Sequence, residues 1–180
     1  MTTSTIELAR LEIQAFRVPL RNPIKVAFGT FRDRPMVLVR AIDRDGSEGW
    51  GEIWCNWPAV GAEHRARLAA DLGERLVGRR FDGPAQAFEQ LTREMEVLVL
   101  QTGEPGPVAA VLAGIDIALW DLQARRQGLP LHRLLGSQGT GQMPRRQQDR
   151  GEFRCTNCER VEFHESALFS ETRSLMQASF

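Results

Sequence analysis

The chain has 180 residues, and 23 basic side chains balance 23 acidic ones, so its net charge is zero. A neutral total gives no electrostatic reason to expect nucleic acid or an anionic membrane as a partner. Three cysteines, an N-terminus (MTTSTIELAR) without an apolar h-region and no apolar run near the ~20 residues of a membrane span lead to the expectation of a cytoplasmic protein with free thiols.

Residues 6–20 alternate in polarity, with Ala9, Leu11, Ile13 and Ala15 on one face and Glu12 and Gln14 on the other, which predicts a strand ending near Pro19. Residues 21–35 hold two prolines, a glycine and several charges and read as a long loop. Met36 to Ile42 is a compact aliphatic run, a second strand. Asp43-Arg44-Asp45-Gly46 supplies turn chemistry, and Glu48 to Ile53 returns as a third strand, completing an antiparallel meander. A second loop covers Trp54 to Gly61.

Helices are expected at about 62–78, with Leu68, Ala69, Leu72 and Leu76 as the apolar stripe, and at about 84–100, with Phe88, Leu91, Met95 and Leu98. The third helix lies in residues 106–136, where Val108, Val111, Leu112, Ile115, Leu119 and Leu122 form one stripe. Small residues beside it (Ala109, Ala110, Ala113, Gly114, Ala118) permit close approach of another element. Pro107 suits its first turn, Arg125 and Arg126 its last, Gly128 a cap, and Pro130 prevents continuation. Strands first and helices afterwards make an α+β domain: a three-stranded antiparallel meander followed by about three helices on one face of the sheet.

The run GIDIALWDL (residues 114–122), followed by G-L-P-L-H-R-L-L-G (128–136), resembles the end of the N-terminal domain of the mandelate racemase/muconate lactonizing group of the enolase superfamily. DRDGSEGWGE (43–52) resembles the hairpin and W-G-E strand of the same domain. The resemblance spans residues 6–136, so residues 1–136 read as a capping domain. It implies a following (β/α) barrel, yet only 44 residues remain after Gly136, far fewer than the about 250 a barrel needs. The expectation is that the barrel is missing here.

Residues 137–180 contain Val161, Leu168 and Leu175 as their only Ile, Leu or Val side chains. Such a segment cannot offset its ordering entropy by burial, so a disordered, non-homologous tail is expected. A reading frame that shifts near codon 137 would account for it, and the other two frames of the coding DNA test the idea.

The resemblance implies abstraction of a proton alpha to a carboxylate, with Mg²⁺ stabilising the enediolate. The metal ligands and the Lys or His acid/base groups lie in the barrel. Lys25 is the lone lysine and no K-x-K is present, so no residue here receives a catalytic, metal or cofactor role. What the resemblance assigns to this domain is substrate capping by the loops at 21–35 and 54–61. Phe28, Phe31, Trp54, Asn56 and Trp57 are the candidate contacts, because aromatics close an apolar lid and Asn can orient a polar group. The alternative is that Trp54 and Trp57 pack on the domain's own helices.

Other constellations carry less. Cys155 and Cys158 with His164 have the flavour of a zinc half-site, but a structural site needs four ligands, so accidental spacing is the better account. Asp116, Asp121 and Glu52 read as structural. Arg145 to Arg150 is a short basic stretch without interleaved aromatics and reads as solvated.

The leading expectation is therefore the capping domain of a Mg²⁺-dependent racemase, cycloisomerase or acid-sugar dehydratase, inactive alone. A small carboxylic acid is the substrate implied for the complete relative. A module that caps a separately encoded barrel, a homo-oligomer as the family commonly forms, and a non-functional gene fragment complete the set. Surfaces that a barrel would cover predict marginal stability or aggregation.

Overall fold

The computed structural model describes residues 5–27, 29–58, 60–137 and 159–160. The elements run β1 (Ile6–Val26), β2 (Gly29–Asp43), β3 (Glu48–Ile53), α1 (Gly61–Glu74), β4 (Arg80–Phe81), α2 (Pro84–Thr102), α3 (Pro105–Arg126), α4 (Leu131–Leu134) and β5 (Glu159–Arg160). The sheet order is β3-β2-β1-β4, all neighbours antiparallel, with β5 also pairing on β1. The meander followed by helices is the architecture expected of the sequence. The two-residue β4, which pairs with Ile6 and Glu7, adds an edge too short to leave a periodic signal.

β1 departs from simple alternation. Leu8 pairs with Asp43 but Arg10 pairs with Ile42, so two residues of β1 oppose one of β2 at Ala9. This bulge reverses the parity of the strand. Ile6 and Leu8 are buried before it, while Leu11, Ile13 and Ala15 face the core after it. Ala9 was expected on the apolar face; as the extra residue of the bulge it is exposed.

Residues 21–35 were expected to form a loop, but most of them are strand. Ile24, Lys25 and Val26 pair with Phe31, Thr30 and Gly29, so β1 and β2 extend as a hairpin beyond the core. The prolines are accommodated at its weak points. Pro19 and Pro23 flank the register break between Pro19 and Ile24. Pro35 lies on β2 beyond Val37, where pairing with β3 ends, so its missing N–H costs no ladder bond on that side.

One face of the sheet is the core face. Val37, Val39 and Ala41 of β2 and Ile53 of β3 meet α1 and α3 there. The other face is polar: Arg40 bonds Glu12 and Glu48 across three strands and lies over the Trp50 ring at 5.4 Å. α1 packs on β1, and α2 packs on α3. α1 ends at Glu74 rather than near residue 78, and Leu76 is buried in the turn that follows. In α2 the buried positions are Pro84, Ala87, Leu91 and Met95, with Leu98 partly buried. Phe88, expected in that stripe, is 39% exposed, because burial follows Pro84, Ala87, Leu91 and Met95 and leaves position 88 on the flank.

α3 is the helix that the spacing predicts, with all six stripe residues buried. It ends with Gly128 in the left-handed region (φ 64). Gly128 donates to the Arg125 carbonyl and Leu129 to the Ala124 carbonyl, a Schellman closure that only glycine makes without strain. By length and composition α3 could cross a membrane. Its apolar stripe is nevertheless consumed by the sheet, as in a core helix.

Charged groups tie the outer parts together. Asp121 accepts the Trp50 backbone N–H at 2.9 Å, capping a donor on the free edge of β3, and accepts from Arg125 at 2.7 Å. This is the structural role expected of it. Glu52 lies on β3, exposed. The tail expected to be disordered, the Cys155/Cys158/His164 group and the basic run at 145–150 lie outside the described residues, apart from Ser137 and from Glu159 and Arg160 in β5.

Candidate functional site

The hairpin β1–β2 and the segment between β3 and α1 come together at one end of the sheet. Trp54 to Pro58, and Val60, carry no helix or strand, as expected for the second loop. Phe31, on β2, meets Trp57 edge-to-face with ring centroids 5.9 Å apart and planes at 90°. The Trp57 ring also lies along the hairpin at Gly29, where an added Cβ would stand 3.5 Å from Trp57 Cη2. Sequence elements some 26 positions apart therefore share one aromatic contact. Trp57 still leaves 43% of its surface exposed.

Trp54 is 58% exposed and lies under the Arg65 guanidinium, 5.6 Å from its ring centroid. It thus touches α1, as the alternative reading held, yet keeps an open face. Asn56 is half-buried between the two tryptophans in sequence. Phe28 lies outside the described residues. The structure therefore brings Phe31 and Trp57 together, and places Trp54 and Asn56 on the same loop.

Two supporting groups carried no sequence motif. Arg17 on β1 donates from Nε and Nη2 to Glu63 on α1 at 2.7–2.9 Å and from Nη1 to Asp33 on β2 at 3.0 Å. These bonds hold its cation against partial burial and fix the base of the hairpin to the start of α1. The second is Arg65, only 5% exposed. The visible signal was its position on the apolar stripe of α1, among Ala62, Ala66, Ala69 and Leu72. Beside it the Cys55 thiol is buried, and burial pushes its pKa up.

Among the described residues no three His, Cys, Asp or Glu side chains converge on a point that could hold a metal. Several of their carboxylates are spent on arginines: Glu63 and Asp33 on Arg17, Asp43 on Arg126, Glu12 and Glu48 on Arg40. The described residues therefore offer no ready-made oxygen set for a Mg²⁺ ion, which needs octahedral coordination.

Asp116 is the described carboxyl whose value is raised. Burial on the flank of α3 pushes it above the ordinary range, outweighing a hydrogen bond with the Trp120 side chain that acts the other way. Native protein then holds this proton more tightly than unfolded chain, so the associated stability is present in acid and lost as pH rises. Asp116→Asn is expected to melt above wild type at neutral pH, with the gap closing below about pH 4. Thermal melts across that range check it; a gap that widens in acid contradicts it.

Residues 9–136 match the family described as mandelate racemase / muconate lactonizing enzyme, N-terminal domain. A mandelate racemase/muconate lactonizing enzyme from Bordetella bronchiseptica RB50 is 51% identical, with a TM-score of 0.67 over 75% of this chain and 34% of that one. The o-succinylbenzoate synthase of Geobacillus stearothermophilus is 30% identical over 73% of this chain and 33% of its own length. The L-Ala-D/L-Glu epimerase of Bacillus subtilis is 30% identical over 73% of this chain and 34% of its own. The chain spans about a third of the length of these relatives. The chain belongs, through residues 9–136, to the mandelate racemase/muconate lactonizing enzyme family of the enolase superfamily, as its N-terminal domain.

Proposed function

We propose that residues 9–136 cap the active site of a racemase, cycloisomerase or dehydratase acting on a small carboxylic acid. The single observation that carries this reading is the Phe31–Trp57 contact, which joins the hairpin and the 54–60 loop into one partly exposed aromatic surface. Such a surface excludes water from a bound substrate when it closes over the open end of a barrel. In this reading the proton abstraction and the Mg²⁺ chemistry belong to the barrel, and the segment described here contributes enclosure and selectivity. A second apolar area supports docking onto such a body: Ile117 on the outer side of α3 and Leu129 and Leu135 beyond it are each more than 40% exposed.

The test grafts residues 1–137 onto the remaining two thirds of the Bordetella protein. Exchange of the alpha proton with D₂O is then read across a panel of carboxylic acids. The folded chimera should turn over at least one acid, and Phe31→Ala with Trp57→Ala should raise its KM or change which acids it accepts. A folded, active chimera indifferent to both substitutions would overturn the proposal.

A further inference from the structure

We infer that Arg65 is the positioning residue of the capping surface: it holds the 54–60 loop so that the Trp57 edge meets Phe31. A buried guanidinium carries five N–H donors and cannot shed its charge, so the fold must supply acceptors. Other inward-facing arginines here use carboxylates, as Arg17 and Arg126 do. Arg65 has no carboxylate partner among the described residues. Its acceptors are backbone carbonyls: Nη1 donates to Gly61, the first residue of α1, at 3.1 Å, and Nη2 reaches Trp57 of the loop at a long 3.5 Å. Its flat face lies over the Trp54 ring, which adds a cation–π attraction. Among the described residues its Nε has no hydrogen-bond partner, so one of the five donors goes unmet.

The dependence runs in both directions. If the loop shifts, the cation loses the Trp57 carbonyl and the Trp54 face together. If the cation is removed, the Trp57 carbonyl loses the hydrogen bond it accepts from α1. The absence of a side chain at Gly61 belongs to the same device. A Cβ there would stand 2.5 Å from Nη1 of Arg65, in the place the guanidinium occupies. Through Trp57 the clamp extends to the hairpin, since that ring packs on both Gly29 and Phe31. That the aromatics face a substrate rests on the function proposed above; that Arg65 sets their placement does not.

The experiment reads the indole N–H resonances of the four tryptophans in the intact chain by NMR, each assigned by a Trp→Phe substitution. Two reporters, Trp54 and Trp57, lie on the loop. The other two, Trp50 on β3 and Trp120 on α3, lie outside it. Arg65→Met removes the charge at similar length. Gly61→Ala keeps the charge but displaces the guanidinium, and alanine suits the first position of a helix, so this variant folds even if the first does not. Both substitutions should shift the Trp54 and Trp57 resonances and leave those of Trp50 and Trp120 in place. Arg65→Lys, which keeps one charge but loses the fork, should restore the wild-type positions only in part. Folded Gly61→Ala with all four resonances unmoved, or with all four moved alike, would overturn the inference. Because the readout needs no substrate, failure of the capping function in the chimera would leave this result standing, and the reverse also holds.

Discussion

Gly51→Ala is expected to lower the unfolding free energy by about 3 kcal/mol or more, a large part of what a domain of this size has. The reason lies in how β3 and α3 meet. A Cβ on Gly51 would stand 2.1 Å from the Gly114 carbonyl oxygen and 2.8 Å from the Ala118 nitrogen. One on Gly49 would stand 2.2 Å from both the Ala118 oxygen and the Leu122 nitrogen. These neighbours are backbone, so no rotamer change relieves the overlap; the helix itself must move off the strand. From α3, Gly114 completes the contact, with a Cβ there 2.4 Å from Ile53 Cγ1. Its backbone neighbours, the Glu52 carbonyl oxygen at 3.1 Å and Ile53 Cα at 3.2 Å, stand farther off than those of Gly51, so Gly114→Ala should cost less, about 1–3 kcal/mol.

Gly106→Ala is the control: it lies within α3 with nothing within 4 Å of an added Cβ apart from its chain neighbours, and because it precedes Pro107 it should cost no more than about 1 kcal/mol. Urea unfolding of the four proteins decides the matter. A Gly51→Ala protein within about 0.5 kcal/mol of wild type would refute the close-packing account.

The same contact explains why so much of the fold was legible. Val108 through Leu122 repeat at helical spacing because one stripe of α3 faces the sheet, and the small residues Gly114 and Ala118 mark where the strand approaches. The meander was legible in β2, where Val37, Val39 and Ala41 are buried and Leu38 and Arg40 are not. The hairpin extension was not legible, because residues 21–27 are exposed on both faces. A strand that buries neither face has no reason to alternate, and its prolines and charges then read as loop. The bulge at Ala9 escaped for a related reason. Period-2 reasoning carries one parity along a strand, and a single inserted residue reverses it without any mark in composition.

At the candidate site the residue types were legible and their partners were not. Phe31 and Trp57 stand out as aromatics in segments expected to be loops, but nothing local says that they meet. That depends on how far the hairpin reaches, which is set by the pairing of Ile24 with Phe31. Arg65 shows the opposite case. Its position on an apolar stripe was readable as an anomaly, and only the fold of residues 54–61 reveals what satisfies it.

Arg126→Met is expected to destabilise the domain by about 3–5 kcal/mol, because it strands a buried carboxylate. Asp43 closes β2 and is 6% exposed. One of its oxygens accepts the Glu7 N–H at 2.7 Å, and the other is held by Arg126 Nη2. The same guanidinium donates to the Thr5 carbonyl at 2.8 Å and lies 3.0 Å from Asp45 Oδ2. Burial opposes the charge on Asp45, but the Ser47 N–H and hydroxyl and Arg126 outweigh it, so that carboxyl stays below its ordinary value. One side chain from the last turn of α3 therefore locks the start of β1, the end of β2 and the β2–β3 turn.

Removing it costs more than a surface pair, whose loss is about 0–1 kcal/mol, since both side chains are at least 90% covered. The decisive comparison is the double variant. Asp43→Asn keeps an oxygen for the Glu7 N–H but carries no charge, so adding it to Arg126→Met should recover about 1–3 kcal/mol rather than add a second loss. Strictly additive losses in the urea unfolding cycle would show that Arg126 acts through its stem packing and its contacts with Thr5 and Asp45 and not through Asp43. Recovery would show that the cost lies in the stranded charge at the corner where the DRDG turn meets the end of α3.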